Sequence, residues 1–231
     1  GYRIERALDF DFTLEPVSFL AAANAGSYTD TQVASDTTYF YRVFAFNALG
    51  DSAASNISSA TTAAVGANVE VSVTLQGPAR PPSGWVIPLT VKFFTPGANV
   101  LTDTPVYTFN LTTTKVGATA VAQCSGILPG SYDITAVSEH TLTNVKLNAF
   151  ITAPGTSVSL GILREGDADN NGFVNIQDFG IFAFAYNTMA GPPPDMDYNP
   201  MADFDRNGVI DILDFGLIAI NYEQMSPVEV P

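Results

Sequence analysis

Hydrophobic and polar positions follow three successive rhythms along the chain. From residue 1 to about 64 they alternate with a period of two. Gly1-Tyr2-Arg3-Ile4-Glu5-Arg6 is one such stretch, and Thr38-Tyr39-Phe40-Tyr41-Arg42-Val43-Phe44-Ala45-Phe46-Asn47 is a longer one. This period, with many aromatic and β-branched residues, predicts strands whose side chains point to alternate faces. Gly50-Asp51-Ser52 predicts a turn, and the small residues from Ser58 to Gly66 a last strand running into a linker. If Tyr39, Tyr41, Val43 and Ala45 face a core, then Phe40, Arg42, Phe44 and Phe46 face outward. Three outward phenylalanines on one strand make Phe40, Phe44 and Phe46 candidates for contact with another domain or another chain.

Residues 65 to 163 keep the same period. Val69, Val71, Val73 and Leu75 alternate with polar neighbours, Leu89-Thr90-Val91-Lys92-Phe93-Phe94 follows a proline-rich turn, and segments 107–111, 132–137 and 145–151 continue the series. Pro96-Gly97, Pro129-Gly130 and Pro154-Gly155 mark turns between them. Strands at this spacing predict a β-sandwich.

Beyond residue 164 the period lengthens. Ile176, Phe179, Gly180, Ala183 and Tyr186 recur at helical spacing, and Ile212, Phe215, Gly216, Ala219 and Tyr222 repeat them 36 positions later. This pattern predicts two helices, each with an apolar stripe. Ile181 and Phe184 in the first, and Leu217 and Ile220 in the second, lie away from that stripe. A helix apolar nearly all round is covered on both sides, so these four are further candidate interface residues, toward the neighbouring sandwich or a separate partner.

Charge sharpens the division. Of the 23 Asp and Glu, twelve lie from Arg164 onward, where the only basic side chains are Arg164 and Arg206. A net charge of −14 argues against nucleic acid as a partner, because phosphate binding needs clustered Lys and Arg. A local excess of carboxylates is what an oxygen-ligated cation needs. Cys124, the single cysteine, excludes an intrachain disulfide and a thiolate zinc site. No run of about 18 apolar residues predicts a membrane-spanning helix.

The carboxylates fall into a pattern. Asp167-Ala168-Asp169-Asn170-Asn171-Gly172-Phe173-Val174-Asn175-Ile176-Gln177-Asp178 has the spacing of a twelve-residue calcium loop, and Asp203-Phe204-Asp205-Arg206-Asn207-Gly208-Val209-Ile210-Asp211-Ile212-Leu213-Asp214 has it again. Calcium takes six to eight oxygens. In the first loop Asp167, Asp169 and Asn171 supply side chains, Phe173 a backbone carbonyl, Asn175 a group acting through water, and Asp178 the closing carboxylate. The second loop offers Asp203, Asp205, Asn207, Val209, Asp211 and Asp214 in the same roles. Gly172 and Gly208 permit the sharp turn at position 6. Two Ca²⁺ sites are therefore expected.

Each unit is a loop followed by one helix, opened by Glu165-Gly166-Asp167 and carrying Asp-Phe-Gly after the loop, and so resembles a dockerin repeat. That resemblance implies two units packed with pseudo-twofold symmetry, two Ca²⁺ ions and docking onto a cohesin. Ile176-Gln177 and Ile212-Leu213 depart from the small hydroxyl pairs of cellulosomal dockerins, which puts a cellulosomal receptor in doubt. Gly1–Arg6, Tyr28-Thr29-Asp30 and the stretch from Thr37 to Gly50 resemble the second half of a fibronectin type III domain, with Tyr39 as its corner tyrosine and its first two strands missing. Leu128-Pro129-Gly130-Ser131-Tyr132-Asp133-Ile134 resembles the turn and strand of carboxypeptidase-regulatory, transthyretin-like sandwiches.

The expected architecture is mainly β: an incomplete fibronectin-like sandwich over 1–64, a transthyretin-like sandwich over 65–163, a small α-helical dockerin-like calcium module over 164–225 and a tail over 226–231. His140, the sole histidine, has no local nucleophile-and-acid pattern around it. The expected function is non-catalytic: an extracellular or cell-surface calcium-binding assembly protein of a prokaryote, partnered by a cohesin-like protein or by copies of itself. The alternative is the accessory C-terminal region of a larger secreted polysaccharide- or protein-degrading enzyme.

Overall fold

The period-two stretches become strands. The computed structural model describes residues 1–77 and 80–231, in two units, Gly1–Val65 and Gly66–Pro231. In the first, β1 (Tyr2–Ala7), β2 (Val17–Ala21), β3 (Thr38–Asn47), β4 (Gly50–Asp51) and β5 (Ser58–Thr61) form one antiparallel sheet, ordered β2-β1-β3-β4, with β5 on the first half of β3. Tyr2 stands opposite Ala21 and Ala45, and Ile4 opposite Phe19 and Val43, so these six share one face. Of the apolar residues in this unit only Ile4, Ala7, Phe12 and Tyr39 are fully buried. One layer of sheet has little to pack against.

On β3, Tyr39 is buried on the face shared with Ile4, as alternation predicts, but the two faces divide unevenly beyond it. Val43 and Ala45 are exposed, whereas Phe40, Phe44 and Phe46 are half-buried. The phenylalanine side is covered by cations: the Arg3 guanidinium lies 4.2 Å from the Phe44 ring centre, and that of Arg42 lies 4.1 Å from the Phe12 ring. Glu5 pairs with both arginines and fixes them over the rings. Phe10 meets Phe40 edge-on at 6.3 Å.

In the second unit two sheets enclose a core. One is ordered β13-β6-β10-β9, from β6 (Ala67–Leu75), β9 (Thr114–Val116), β10 (Thr119–Ile127) and β13 (Gly155–Leu163). The other is ordered β16-β12-β11-β7-β8, from β7 (Pro88–Phe94), β8 (Tyr107–Thr112), β11 (Gly130–Val137), β12 (Asn144–Ile151) and β16 (Val228–Glu229). Val69, Val71 and Val73 of β6 face Val91, Phe93 and Ile134 of the opposite sheet in one cluster. The β-sandwich expected from alternation is thus present. Residues 226–231 are not a free tail, because Val228–Glu229 adds a parallel edge strand to β12, with the Val228 and Val230 amides donating to Thr143 and Val145.

A second cluster lies under α1 (Ile176–Ala185) and α2 (Ile212–Asn221). A short ribbon, β14 (Thr188–Met189) with β15 (Val209–Ile210), joins the segment after α1 to the loop before α2. Phe182, Ala185, Phe204, Ile210, Leu217 and Ile218 fill this cluster, together with Leu142 from the turn between β11 and β12. The loops and helices are therefore built into the same unit as the sandwich. Leu217 is buried and Ile181 half-buried against this cluster, so neither is a free interface residue; Phe184 and Ile220 are exposed. Of the stripe shared by the helices, Ile176/Ile212, Ala183/Ala219 and Tyr186/Tyr222 face outward. Its phase is set by the position-12 carboxylates. Asp178 and Asp214 turn into their loops, and Phe182 with Ala185, or Leu217, Ile218 and Asn221, follow on the same helical face.

Candidate metal centre

Each loop closes through hydrogen bonds to its own carboxylates. In the first, the Asn171 amide donates to Asp167 and Asp169 at 3.0 and 3.1 Å, and the Gly172 amide donates to Asp167 at 2.9 Å. In the second, the Asn207 amide donates to Asp203 and Asp205, both at 3.0 Å, and Gly208 to Asp203 at 2.9 Å. Gly172 and Gly208 have φ of 82° and 86°, the left-handed backbone for which glycine is suited.

Asn175 and Asp211 cap the helices, accepting from the amides of Gln177 and Leu213 at 2.6 and 2.7 Å. Asp178 and Asp214 in turn accept from the cap residues' own amides at 2.8 and 3.0 Å, completing capping boxes. Aspartate at position 12 suits this double use: its other oxygen crosses the loop to the amide of Asp169 in the first unit, and of Phe204 and Asp205 in the second.

The result is two clusters, Asp167 with Asp169 and Asp178, and Asp203 with Asp205 and Asp214; in each the three carboxylates offer oxygens within 4.8 Å of one another. Asn171 and Asn207 lie at each cluster's edge, donating to Asp169 and Asp205. Phe173 and Val209 are half-buried, and each amide donates to its position-5 asparagine. Burial pushes the Asp167 carboxyl up to about 6 and that of Asp214 up to about 7, with neighbouring carboxylates adding to the rise. Asp178 and Asp205 are raised for the same first cause. Like charges gathered away from water resist ionisation until a cation joins them. The donor set is all oxygen and rich in carboxylate, which fits a hard cation.

Each loop also pairs with the segment that follows the other loop's helix. The Asn187 and Ala190 amides, beyond α1, donate to Ile210 and Gly208 in the second loop; the Glu223 and Ser226 amides, beyond α2, donate to Val174 and Gly172 in the first. Each pairing maps onto the other by a shift of 36 positions.

Some neighbours of the site escaped sequence reasoning. His140 is buried, its Nδ1 2.8 Å from Glu165, its ring edge-on to Phe204 at 5.5 Å and its carbonyl accepting from the Gly166 and Asp167 amides. The Tyr198 hydroxyl donates to Asp203 at 2.7 Å. These contacts join residues far apart in sequence or outside the repeat, so spacing gave no signal.

On the outer side, Phe179, Phe182, Ala183, Tyr186, Ile212 and Phe215 line an apolar cleft of about 330 Å³ across both helices. Phe215 meets Phe179 and Phe182 with ring centres 6.1 Å apart in each case. Among the described residues, no helix is long and apolar enough to cross a membrane.

No protein-family model and no curated protein matches the chain. Among solved structures the fold is similar to a chain of a type II cohesin–X–dockerin complex from Acetivibrio cellulolyticus mutated at its C-terminal interface. The TM-score is 0.53 at 18% identity, covering 69% of this chain and 97% of that one. The N-terminal interface mutant of that complex gives 0.52 at 17% identity, with the same coverage. A match covering 69% of the chain is longer than the first unit, which ends at Val65, and so extends into the second.

Proposed function

We propose that this chain is a non-catalytic, calcium-stabilised assembly protein of a prokaryotic cell surface, whose paired loops and helices act as a dockerin-like module. One observation carries the reading: two carboxylate clusters in matching loops, each loop paired by backbone hydrogen bonds with the segment that follows the other's helix, under a shift of 36 positions. Asp167, Asp169, Asn171 and Asp178 would hold one Ca²⁺, and Asp203, Asp205, Asn207 and Asp214 the other, with the carbonyls of Phe173 and Val209. Asn175 and Asp211, already engaged as caps, would act through water. Calcium would supply the positive charge that lets these carboxylates ionise together, so that folding of the loops depends on it.

The exposed stripe across both helices, with Phe215, Tyr186 and Ile212 at its centre, is the docking face of this reading. A cohesin-type β-sandwich is the receptor that the loop–helix resemblance and the fold likeness together favour. The engagement of His140 with Glu165 supports a structural role for that side chain. The test is surface binding of an immobilised type II cohesin domain to the full chain. Binding is expected in millimolar calcium and is lost in chelator and in Phe215→Ser. Calcium-bound chain that ignores the cohesin would remove the receptor, and a chain that takes up no calcium would remove the whole reading.

A second reading adds self-assembly through the first unit. The Ala34 amide donates to the Tyr39 hydroxyl at 2.9 Å, a corner-tyrosine contact that supports the fibronectin-like resemblance. Yet the face bearing Ile4, Val43 and Ala45 has one sheet where such a sandwich has two. A second copy would complete the layer, and sedimentation over a concentration series tests this.

A further inference from the structure

We propose that Arg80 is a positioning residue for the second metal site: through it the sandwich holds the loop 203–214, while the loop 167–178 loads without it. This rests on the calcium reading above and concerns which part of the chain controls each ion. Arg80 is a buried cation with every bond directed inward. Its Nε donates to the Gln76 carbonyl at 2.9 Å and its Nη1 to the Gly84 carbonyl at 2.9 Å; its Nη2 donates to Glu165 and to the Phe204 carbonyl, each at 2.6 Å.

The last contact reaches the metal site. The peptide joining Phe204 to Asp205 accepts from Arg80 at its oxygen and donates to the Asp214 carboxylate at its nitrogen, at 3.2 Å. One rigid peptide plane thus connects a side chain of the sandwich to the closing carboxylate of the loop. In the first loop the Asp169 amide bonds Asp178 in the same way, but among the described residues no guanidinium reaches the Ala168 carbonyl. The fit around the second loop is close. A Cβ on Gly77 would stand 2.6 Å from the Asp205 Cβ, and one on Gly84 would stand 3.3 Å from the Asp205 carbonyl oxygen. Asp203, Asp205 and Asp214 are all buried, whereas Asp169 of the first cluster is exposed. Groups beyond the ligands that orient them in this way change metal affinity by about 10–100-fold when removed.

The chain carries its own reporter. Trp85, the only tryptophan, follows Gly84 at the end of the short helical turn Pro82–Trp85. The experiment is a calcium titration of the chelator-stripped full chain, followed by heat and by Trp85 fluorescence. The expected result is two binding events, of which the fluorescence tracks one. The fluorescence change disappears in Asp205→Asn and persists in Asp169→Asn. Arg80→Gln weakens that same event about tenfold or more and the other, which it reaches only through Glu165, by far less, a split that general destabilisation does not produce.

If Arg80→Gln does not fold, Gly77→Ala, which keeps the cation and intrudes on Asp205, must weaken the same event alone. A fluorescence change that survives Asp205→Asn overturns the inference, as does an equal effect of Arg80→Gln or Gly77→Ala on both events. Absence of any calcium heat in the unaltered chain is a different failure, one that takes the calcium reading with it.

Discussion

The two loops share the same side chains at positions 1, 3, 5, 6 and 12 and close with the same hydrogen bonds, yet they live in different surroundings. The first lies beside the C-terminal segment: the Ser226 amide donates to Gly172, and Asp169 faces solvent. The second lies against the sandwich, with its three carboxylates buried, Arg80 behind it and Phe204 where the first loop has Ala168. A repeat in sequence therefore specifies a local geometry, while burial and neighbouring charge come from whatever the repeat packs against.

Replacing Phe204 by Ala gives the second loop the residue that the first already carries. Phe204 is fully buried and touches His140, so the expected loss is about 3–5 kcal/mol of unfolding free energy, read by denaturant titration in calcium. A loss below about 1 kcal/mol would mean that the loops are more alike than their burial indicates.

Acidity is the second probe. In chelator, carboxyls held near 6 at Asp167 and near 7 at Asp214 bind protons in the folded chain that the unfolded chain, near 3.8, releases earlier. Their contribution to stability is fully present below about pH 4 and is lost as pH rises through 6 and 7. The metal-free chain should therefore melt at a lower temperature at pH 7.5 than at pH 5, and Asp214→Asn should flatten the upper part of that slope more than Asp167→Asn. A melting temperature that rises over the same range contradicts this assignment.

The smallest effects belong to the outer face. Phe184→Ser and Ile220→Ser, at equivalent exposed positions one per helix, should each change stability by no more than about 0.5 kcal/mol. A larger loss from only one of them would show that the helices are unequal outside as well as inside.

The acidic clusters were legible because their residues recur at fixed spacing: Asp167, Asp169 and Asp178 converge, as do Asp203, Asp205 and Asp214. The sandwich was legible from the alternation of Val69, Val71 and Val73. Which face of each helix is buried was not legible from the residues common to both helices. The deciding information lay in Asp178 and Asp214, whose carboxylates must point into the loops. The cover on the phenylalanine face of β3 was not legible: stacking Arg3 and Arg42 on Phe44 depends on strand register, which alternation alone does not fix. The contacts of Arg80 with Glu165 and Phe204 span 85 and 124 residues, and no short-range pattern encodes them.

The parallel edge strand β16 also decides how the second unit carries mechanical load. Tension applied beyond Val230 acts along a two-residue strand held by the Thr143 and Val145 carbonyls, whereas tension arriving at Ala67 acts on β6, locked between β13 and β10. The weaker fastening is the one at β16. Behind it the chain runs back through Ser226 to Gly172, so a pull at this end reaches the first loop before it reaches the sandwich core. Stretching would thus open the first carboxylate cluster while leaving the second, bonded through the Phe204 carbonyl to Arg80, in place.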